Sequence, residues 1–142
     1  MNNSSNKKSH KRLLIVLLFA IITAGGIFMF SMLGKSQEER RNREYEVSLV
    51  NALKNSYQGI EEIKISNPNY TNPPGSWSCD VEIKFIDEKT LKYGINHHLS
   101  YKTNYGGRQE TNEDWQYLET HKGKTLKSVQ ITYSDYEQGE QR

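Results

Sequence analysis

The chain contains little cysteine, proline or phenylalanine, and each scarcity excludes something. A single cysteine, Cys79, excludes an internal disulfide and a zinc site built from several thiolates. All three prolines lie between positions 68 and 74, so they can interrupt helices or strands only there. Three of the four phenylalanines lie before position 35. Tyrosine and tryptophan must therefore supply most of the aromatic part of any core beyond that position.

Charge is absent from Leu13 to Gly34, and this run is the most informative feature of the sequence. As a helix it would reach roughly 33 Å, enough to cross a hydrocarbon core of about 30 Å. We therefore predict a transmembrane helix over residues 13–34, with the lipid bilayer as its partner. The basic tail before it, residues 1–12, contains Lys7, Lys8, Lys11 and Arg12 and no acid.

The predicted orientation of this span depends more on the length of the region that follows it than on the flanking charges. Cations flank the run on both sides, so their count decides little, whereas long regions translocate largely regardless of charge. We expect a single-pass protein of the cell membrane, with the N-terminus in the cytoplasm and the C-terminal domain outside. Ala20 and Ala24 have a spacing that lets two spans pack, so a homodimer stays open as an alternative.

Cleavage of the apolar run is the competing interpretation. Leu13–Thr23 has the length of a signal-peptide apolar region, and small residues follow at positions 24–26, so cleavage there would release a small secreted protein. The run continues without a polar break through Phe30, which favours an uncleaved signal-anchor.

A net charge of +2 gives no support to nucleic-acid binding. The basic tail accounts for four cations, and the other fifteen lysines and arginines face all 17 acidic residues. We therefore expect no nucleic-acid partner.

The segment after the predicted span has a helical pattern. Residues 35–56 are predicted to form a charged stalk that continues into an amphipathic helix, because opposite charges recur at i,i+4 spacing and apolar residues follow at helical spacing. The apolar stripe contains Tyr45, Leu49, Val50, Leu53 and Tyr57.

Residues 57–136 are predicted to form one α+β domain outside the membrane, followed by a frayed polar tail over residues 137–142. Alternating segments predict strands at Ile60–Ser66, Trp77–Ile86, Thr90–Ile95 and Ser128–Tyr133, with Asn96–Tyr105 a further strand or a loop. Asn67–Gly75 contains the prolines and is predicted to be an irregular loop.

A second helix is predicted from a cap at Thr111 or Asn112 to Gly123, with Trp115 and Leu118 facing inward. The expected architecture is an antiparallel sheet of three to five strands packed against one or two helices. The alternation also places Cys79 on the buried side.

The usual catalytic signatures HExxH, GxSxG, CxxC and the phosphate-binding loop are absent from the sequence. His97 and His98 are the most suggestive polar pair, but neighbouring strand residues point to opposite faces. We expect no catalytic residue, no metal and no cofactor. The alternative is a small envelope hydrolase or metal-dependent enzyme that uses His97 and His98.

A binding role has better support, because tyrosine, tryptophan and a proline-stiffened loop are typical of protein interfaces. The candidate binding surface contains Tyr70, Pro73, Pro74, Trp77, Tyr101 and Tyr105. The competing interpretation is that Trp77 belongs to the core and the loop only connects strands. We predict a non-catalytic protein-binding module with a protein partner in the cell envelope.

The stretch GIEEIKISNPNYTNPPGSWSCDVEIKFIDEKTLKYGI and the later HKGKT resemble small single-span membrane proteins of Gram-positive bacteria whose extracytoplasmic domain has no assigned function. The likeness rests on the Gly-Ser-Trp turn at 75–77 and on the His-Lys-Gly at 121–123. It implies a bacterial cell-surface setting and supplies no activity, ligand or catalytic residue.

Overall fold

The computed structural model describes residues 36–135 and 138–141, which contain two helices and six strands. In chain order they are α1 (Gln37–Ser56), β1 (Ile60–Thr71), β2 (Ser76–Phe85), β3 (Thr90–His97), β4 (Arg108–Gln109), α2 (Asn112–Thr120), β5 (Val129–Thr132) and β6 (Gln138–Gln141). Neither described helix has the length and apolar character needed to cross a membrane. The predicted span over residues 13–34 and the basic tail lie outside the described residues.

The strands form one sheet in the order β4-β3-β2-β1-β5-β6. β1, β2 and β3 are joined by antiparallel hairpins, whereas β5 pairs in parallel with β1, Glu62–Lys64 lying against Gln130–Thr132. The predicted α+β class is confirmed. The prediction of an antiparallel sheet is wrong at this one pairing, because the chain returns through α2 before β5 begins. β4 and β6 are not among the predicted strands; β6 lies in the segment predicted to be a frayed tail.

β1 extends through most of the segment that its prolines predict to be a loop. Its pairing with β2 continues to Thr71, with a register shift between Ser66 and Asn69 that contains Pro68. β5 pairs with β1 only at Glu62–Lys64, so Pro68 lies beyond the part of β1 that has a ladder on both sides. The irregular connection is confined to residues 72–75.

The two faces of the sheet differ in polarity. Trp77, Cys79, Val81, Ile83 and Phe85 are all buried on what we call the inner face, which α1 and α2 cover. The residues between them, Ser78, Asp80, Glu82 and Lys84, are exposed or half-buried on the outer face. The predicted alternation is confirmed, including the burial of Cys79.

α1 is docked on the inner face along most of its length. Ser36 caps it, its Oγ accepting a hydrogen bond from the Glu39 N–H at 3.2 Å. The predicted apolar stripe is buried: Tyr45, Leu49, Val50 and Leu53. Docking begins at Arg41, whose guanidinium lies 4.2 Å from the centroid of the Tyr70 ring. Residues 36–40, which are the cap and the first four helical residues, precede that contact and are exposed.

Two separate chain segments, residues 123–125 and the segment at Asn104, meet the last turn of α1. The carbonyl of Lys54 accepts a hydrogen bond from the Thr125 N–H at 2.8 Å, and that of Ser56 from the Gly123 N–H at 3.0 Å. The Ser56 hydroxyl accepts a further bond from the Asn104 N–H at 2.7 Å. Carbonyls at a helix C-terminus lack partners within the helix, so distant parts of the chain supply them here.

α2 touches the core by one side only. Thr111 caps it as predicted, with its hydroxyl accepting a hydrogen bond from the Asp114 N–H at 3.1 Å. Leu118 is buried as predicted and Tyr117 packs beside it. Trp115 is 52% exposed, so the prediction that it faces inward is wrong. At about 100° per residue, Trp115 points about 110° away from the direction midway between Tyr117 and Leu118.

A buried polar cluster fastens α1 to the segment after β5. Arg43 is buried, and its Nη2 donates to both carboxylate oxygens of Asp135 at 2.8 and 2.7 Å. One turn later, the buried Glu46 carboxylate accepts hydrogen bonds from the N–H and the hydroxyl of Ser134 at 2.7 and 2.9 Å. Burial raises the pKa of Glu46, and the bonds from Ser134 partly oppose that rise.

We expect Asp135→Ala to destabilise the domain by about 2–3 kcal/mol, because it removes the carboxylate from a buried guanidinium. We expect a smaller loss of stability than for a fully buried pair, because the Asp135 side chain is 27% exposed. Urea unfolding measures it, with Lys127→Ala, at an exposed loop position, as the matched control. Equal unfolding midpoints for the two variants would contradict the importance of this pair.

Candidate functional site

The six residues predicted to form a binding surface lie in three places. Trp77 is in the core, Tyr70, Pro73 and Pro74 lie at the β1–β2 turn, and Tyr101 and Tyr105 lie in the loop between β3 and β4. Tyr101 and Tyr105 line a common depression, whose lining does not include the other four.

Trp77 does not belong to an exposed surface. It is 1% exposed, its ring stacks on Tyr45 with centroids 5.2 Å apart, and its Nε1–H donates to the Asn42 Oδ1 at 3.1 Å. Its place in the predicted surface is therefore wrong, and the competing interpretation that it is a core residue is confirmed. The alternation of β2 explains this, because Trp77 falls on the inner face with Cys79.

Asn104 holds the β3–β4 loop, residues 98–107, against both the sheet and α1. Its Nδ2 donates to the Asn96 carbonyl at 2.8 Å and lies 3.1 Å from the Nδ1 of His97. Its Oδ1 accepts the Gly106 N–H at 3.0 Å, and its backbone N–H reaches the Ser56 hydroxyl. The loop is thus ordered before any partner arrives, which lowers the entropy lost on binding.

The loop presents two half-exposed tyrosines. Tyr101 is 52% exposed and Tyr105 is 49% exposed. The Tyr101 ring meets His97 edge-on at 5.8 Å between centroids, and the Tyr105 ring meets Tyr57 edge-on at 5.7 Å. Both rings therefore have one side supported by the domain and another open to solvent.

The loop runs close to the ring of Tyr93 where it returns to β4. Gly107 has a φ of +118°, and a Cβ at this position would lie 2.5 Å from two carbons of that ring. Only glycine fits both the backbone and the space here. Gly107 therefore sets how closely the loop approaches the sheet.

A depression of about 710 Å³ opens on the outer face beside this loop, and we call it the groove. Tyr101 and Tyr105 form part of its wall, and Asp80, Asn67, Gly94 and Arg108 are among its other lining residues. An adjoining depression of about 800 Å³ shares Asp80 and Gly94 with it. The outer face thus has a recess with a mixed polar and apolar lining and with aromatic residues at one side.

The Asp80 carboxylate is held at the centre of this recess. Asn67, at the register shift of β1, has a φ of +52°, and its Nδ2 donates to the Asp80 Oδ2 at 2.8 Å. Asparagine tolerates this left-handed conformation better than most residues. The other carboxylate oxygen, Oδ1, lies toward Gly94 on the neighbouring strand.

Gly94 keeps the recess open although the fold does not require glycine there. It lies within β3, directly opposite Asp80, and its φ is outside the left-handed region. A Cβ on Gly94 would lie 3.5 Å from the Asp80 Oδ1, an ordinary contact distance. Glycine inside a strand costs about 0.5–1 kcal/mol relative to alanine. A strand glycine without a local structural reason is typical of a position that another chain or ligand approaches.

His97 and His98 diverge, as their adjacent strand positions predict. His97 is 4% exposed on the inner face, whereas His98 is exposed and bonds to Ser100, with 2.7 Å between its Nδ1 and the Ser100 hydroxyl oxygen. The two rings therefore do not converge on one site. Among residues 36–135 and 138–141, three or more metal-binding side chains do not come together anywhere.

His97 belongs to an array that looks catalytic but has the wrong proton arrangement. Its Nε2 is 2.9 Å from the Ser48 hydroxyl and its Nδ1 faces Asn104. A serine nucleophile needs an unprotonated Nε2 to accept its proton. Here the Asn104 amide donates to Nδ1, so Nε2 carries the proton and donates to Ser48.

Reversing the Asn104 amide would not correct this arrangement. Its oxygen would then face the Asn96 carbonyl, and its NH₂ would face the Gly106 N–H, in place of two hydrogen bonds. Burial, with a smaller contribution from the charge on His98, also lowers the pKa of His97 to about 4. His97 is therefore a buried neutral residue that positions the β3–β4 loop.

Sequence reasoning missed most of the groove. Asp80 and Arg108 look like ordinary solvated residues of a strand and a turn, and Asn67 like a loop residue. The available signal was Gly94, an isolated glycine in an alternating strand. The partnership of Asn104 with His97 has no sequence signal, because it depends on how the loop folds back.

No protein-family model, no curated protein and no solved structure matches the chain.

The buried His97 predicts a pH dependence of stability. Its folded pKa of about 4 lies below the ordinary 6.5, so the unfolded state binds the proton first as pH falls. We expect a loss of up to about 3 kcal/mol between pH 6.5 and 4, absent from a His97→Gln variant. Urea unfolding over this range measures the slope, and His98→Gln should keep it. A His97→Gln variant with the wild-type slope would contradict this assignment.

Proposed function

We propose that this chain is a single-pass membrane protein whose domain, outside the cell membrane, binds another protein without catalysis. The binding surface is the groove on the outer face, with Tyr101 and Tyr105 at its wall. The observation that carries the proposal is Gly94, which keeps the groove open at a position where the strand would accept a side chain.

The chemistry of the groove supports a polypeptide as its occupant. Asp80 offers a carboxylate oxygen, Arg108 offers guanidinium donors, and both lie within one lining. The two tyrosines add large, partly rigid aromatic surfaces, which are frequent at the centres of protein interfaces. A polypeptide segment carries donors, acceptors and apolar side chains in close alternation, so it matches this mixture better than a purely apolar ligand does.

The alternative of a hydrolase or metal-dependent enzyme using His97 and His98 has less support. His97 holds its proton on the nitrogen that faces Ser48, and His98 points elsewhere. A binding role needs neither residue to react. The residues that shape the groove, rather than the histidines, are therefore the ones to test.

The membrane setting is supported by the uncharged run over residues 13–34 and by the long region that follows it. The resemblance to small single-span proteins of Gram-positive bacteria agrees with an extracytoplasmic domain. Release by cleavage near position 26 remains the alternative form of the same binding proposal.

We expect a photo-crosslinking amino acid at Tyr105 to trap a discrete protein in living cells. Gly94→Val should reduce the adduct several-fold, because a branched side chain fills the groove while suiting a strand. Its urea midpoint should equal or exceed that of wild type. The same crosslinker at Lys127, outside the groove lining, is the control. An undiminished adduct in Gly94→Val would overturn the groove as the binding surface.

The orientation has a direct test with Leu126→Cys. Leu126 is the most exposed large apolar residue described, whereas Cys79 is buried and its pKa is raised by that burial. An impermeant thiol reagent should therefore label Leu126→Cys on intact cells and leave the wild-type chain unlabelled. Labelling of the variant only after lysis would place the domain in the cytoplasm.

A further inference from the structure

The β1–β2 hairpin ends in an uncharged tip. The chain carries no charged side chain from Ser66 to Ser78, although a quarter of all its residues are charged. Within this stretch, residues 71–74 form the end of the hairpin and are exposed. The turn at the opposite end of β2 is the reverse in character, with Asp87, Glu88 and Lys89 in succession. The β1–β2 hairpin therefore has an uncharged turn at one end, and β2 leads into a charged turn at its other end.

The uncharged tip lies beside the N-terminal end of α1. Arg41 stacks on Tyr70, and the rings of Tyr45 and Tyr70 have centroids 6.1 Å apart. At the other end of the helix, Tyr57 and Thr125 join the beginning of β1, where the Thr125 hydroxyl accepts the Ile60 N–H. α1 therefore runs along the hairpin axis, beginning at the tip.

The N-terminal end of α1 and the tip of the β1–β2 hairpin extend a similar distance beyond the contact between Arg41 and Tyr70. Residues 36–40 precede the Arg41 contact and add roughly 7–8 Å at 1.5 Å per residue. The tip adds about three residues beyond Tyr70, which reach at most roughly 10 Å because residues 72–75 form a turn. Whatever lies directly ahead of α1 therefore also lies ahead of residues 71–76.

What lies ahead of α1 is the predicted span, and the connection to it is short. Three Cα steps separate Gly34, the end of the uncharged run, from Gln37, the first helical residue. They can span at most about 11 Å. The polar layer on each side of a hydrocarbon core is about 5–8 Å thick. The N-terminal end of α1 is thus restricted to the immediate neighbourhood of the membrane surface.

We infer that the hairpin tip, residues 71–76, lies against the lipid head groups of the membrane that holds the predicted span. This inference rests on the span in the proposed function. An uncharged tip of threonine, asparagine, proline, glycine and serine enters the head-group layer without dehydrating an ion. Tyr70 behind it is a residue type favoured at this depth. The charged turn at residues 87–89 faces away from the membrane.

The test uses the full chain reconstituted in vesicles of phosphatidylcholine and phosphatidylglycerol. Pro74→Cys at the tip and Glu88→Cys at the charged turn each carry the same polar, environment-sensitive fluorophore, and buried Cys79 stays unlabelled. We expect lipids with a quencher on the head group to quench the Pro74→Cys label several-fold more than the Glu88→Cys label. Flotation of the vesicles first establishes that the chain is membrane-bound.

The outcomes separate the two proposals. A chain that floats with the vesicles but shows equal quenching at both positions overturns the placement of the tip and leaves the span intact. A chain that fails to float overturns the predicted span and, with it, the inference. Strong quenching at Pro74→Cys alone supports both.

Discussion

The last turn of α1 is the junction on which the rest of the domain depends. A helix ends with carbonyl groups that need partners from outside it, and this end is buried beneath two connections rather than open to water. The backbone N–H groups of Gly123 and Thr125 satisfy two of these carbonyls, and Ser56 adds its hydroxyl for Asn104. The same few atoms therefore fix the path toward β5 and the path toward β4.

This junction connects the fold to the groove. Asn104, held at the end of α1, directs its amide to β3 and so sets the position of the β3–β4 loop. That loop carries Tyr101 and Tyr105 to the side of the outer face. The helix packs on the inner face, yet it determines what the outer face offers. The orientation of one amide also decides the proton position on His97, which makes the Ser48 array a structural element rather than a nucleophile.

Local pattern predicts some of this structure well and some of it poorly, for physical reasons. The alternation from Trp77 to Phe85 and the apolar stripe of α1 reflect burial of single elements, and both are confirmed. The alternating sequence of β5 does not predict whether β5 pairs in parallel or antiparallel, because the same pattern suits either kind of neighbour. The sequence predicts that Trp115 faces inward with Leu118, but the contact side of α2 is set by Tyr117 and Leu118. The groove combines residues from β1, β2, β3 and a loop, so only the assembled sheet reveals it.

The parallel pairing of β5 with β1 has a consequence for how the chain is made. β1 lies between β2 and β5, so the sheet stays open on one side of β1 until residues 129–132 have been synthesised. The carboxylate partner of Arg43, Asp135, lies 92 positions further along the chain, and Glu46 bonds to the similarly distant Ser134. Until then α1 can pack on the sheet only through its apolar stripe, without the hydrogen bonds from Arg43 to Asp135 and from Ser134 to Glu46. Such distant contacts favour slow, late closure over stepwise folding from the N-terminus. A chain that ends before residue 129 would therefore leave one edge of β1 without its parallel neighbour.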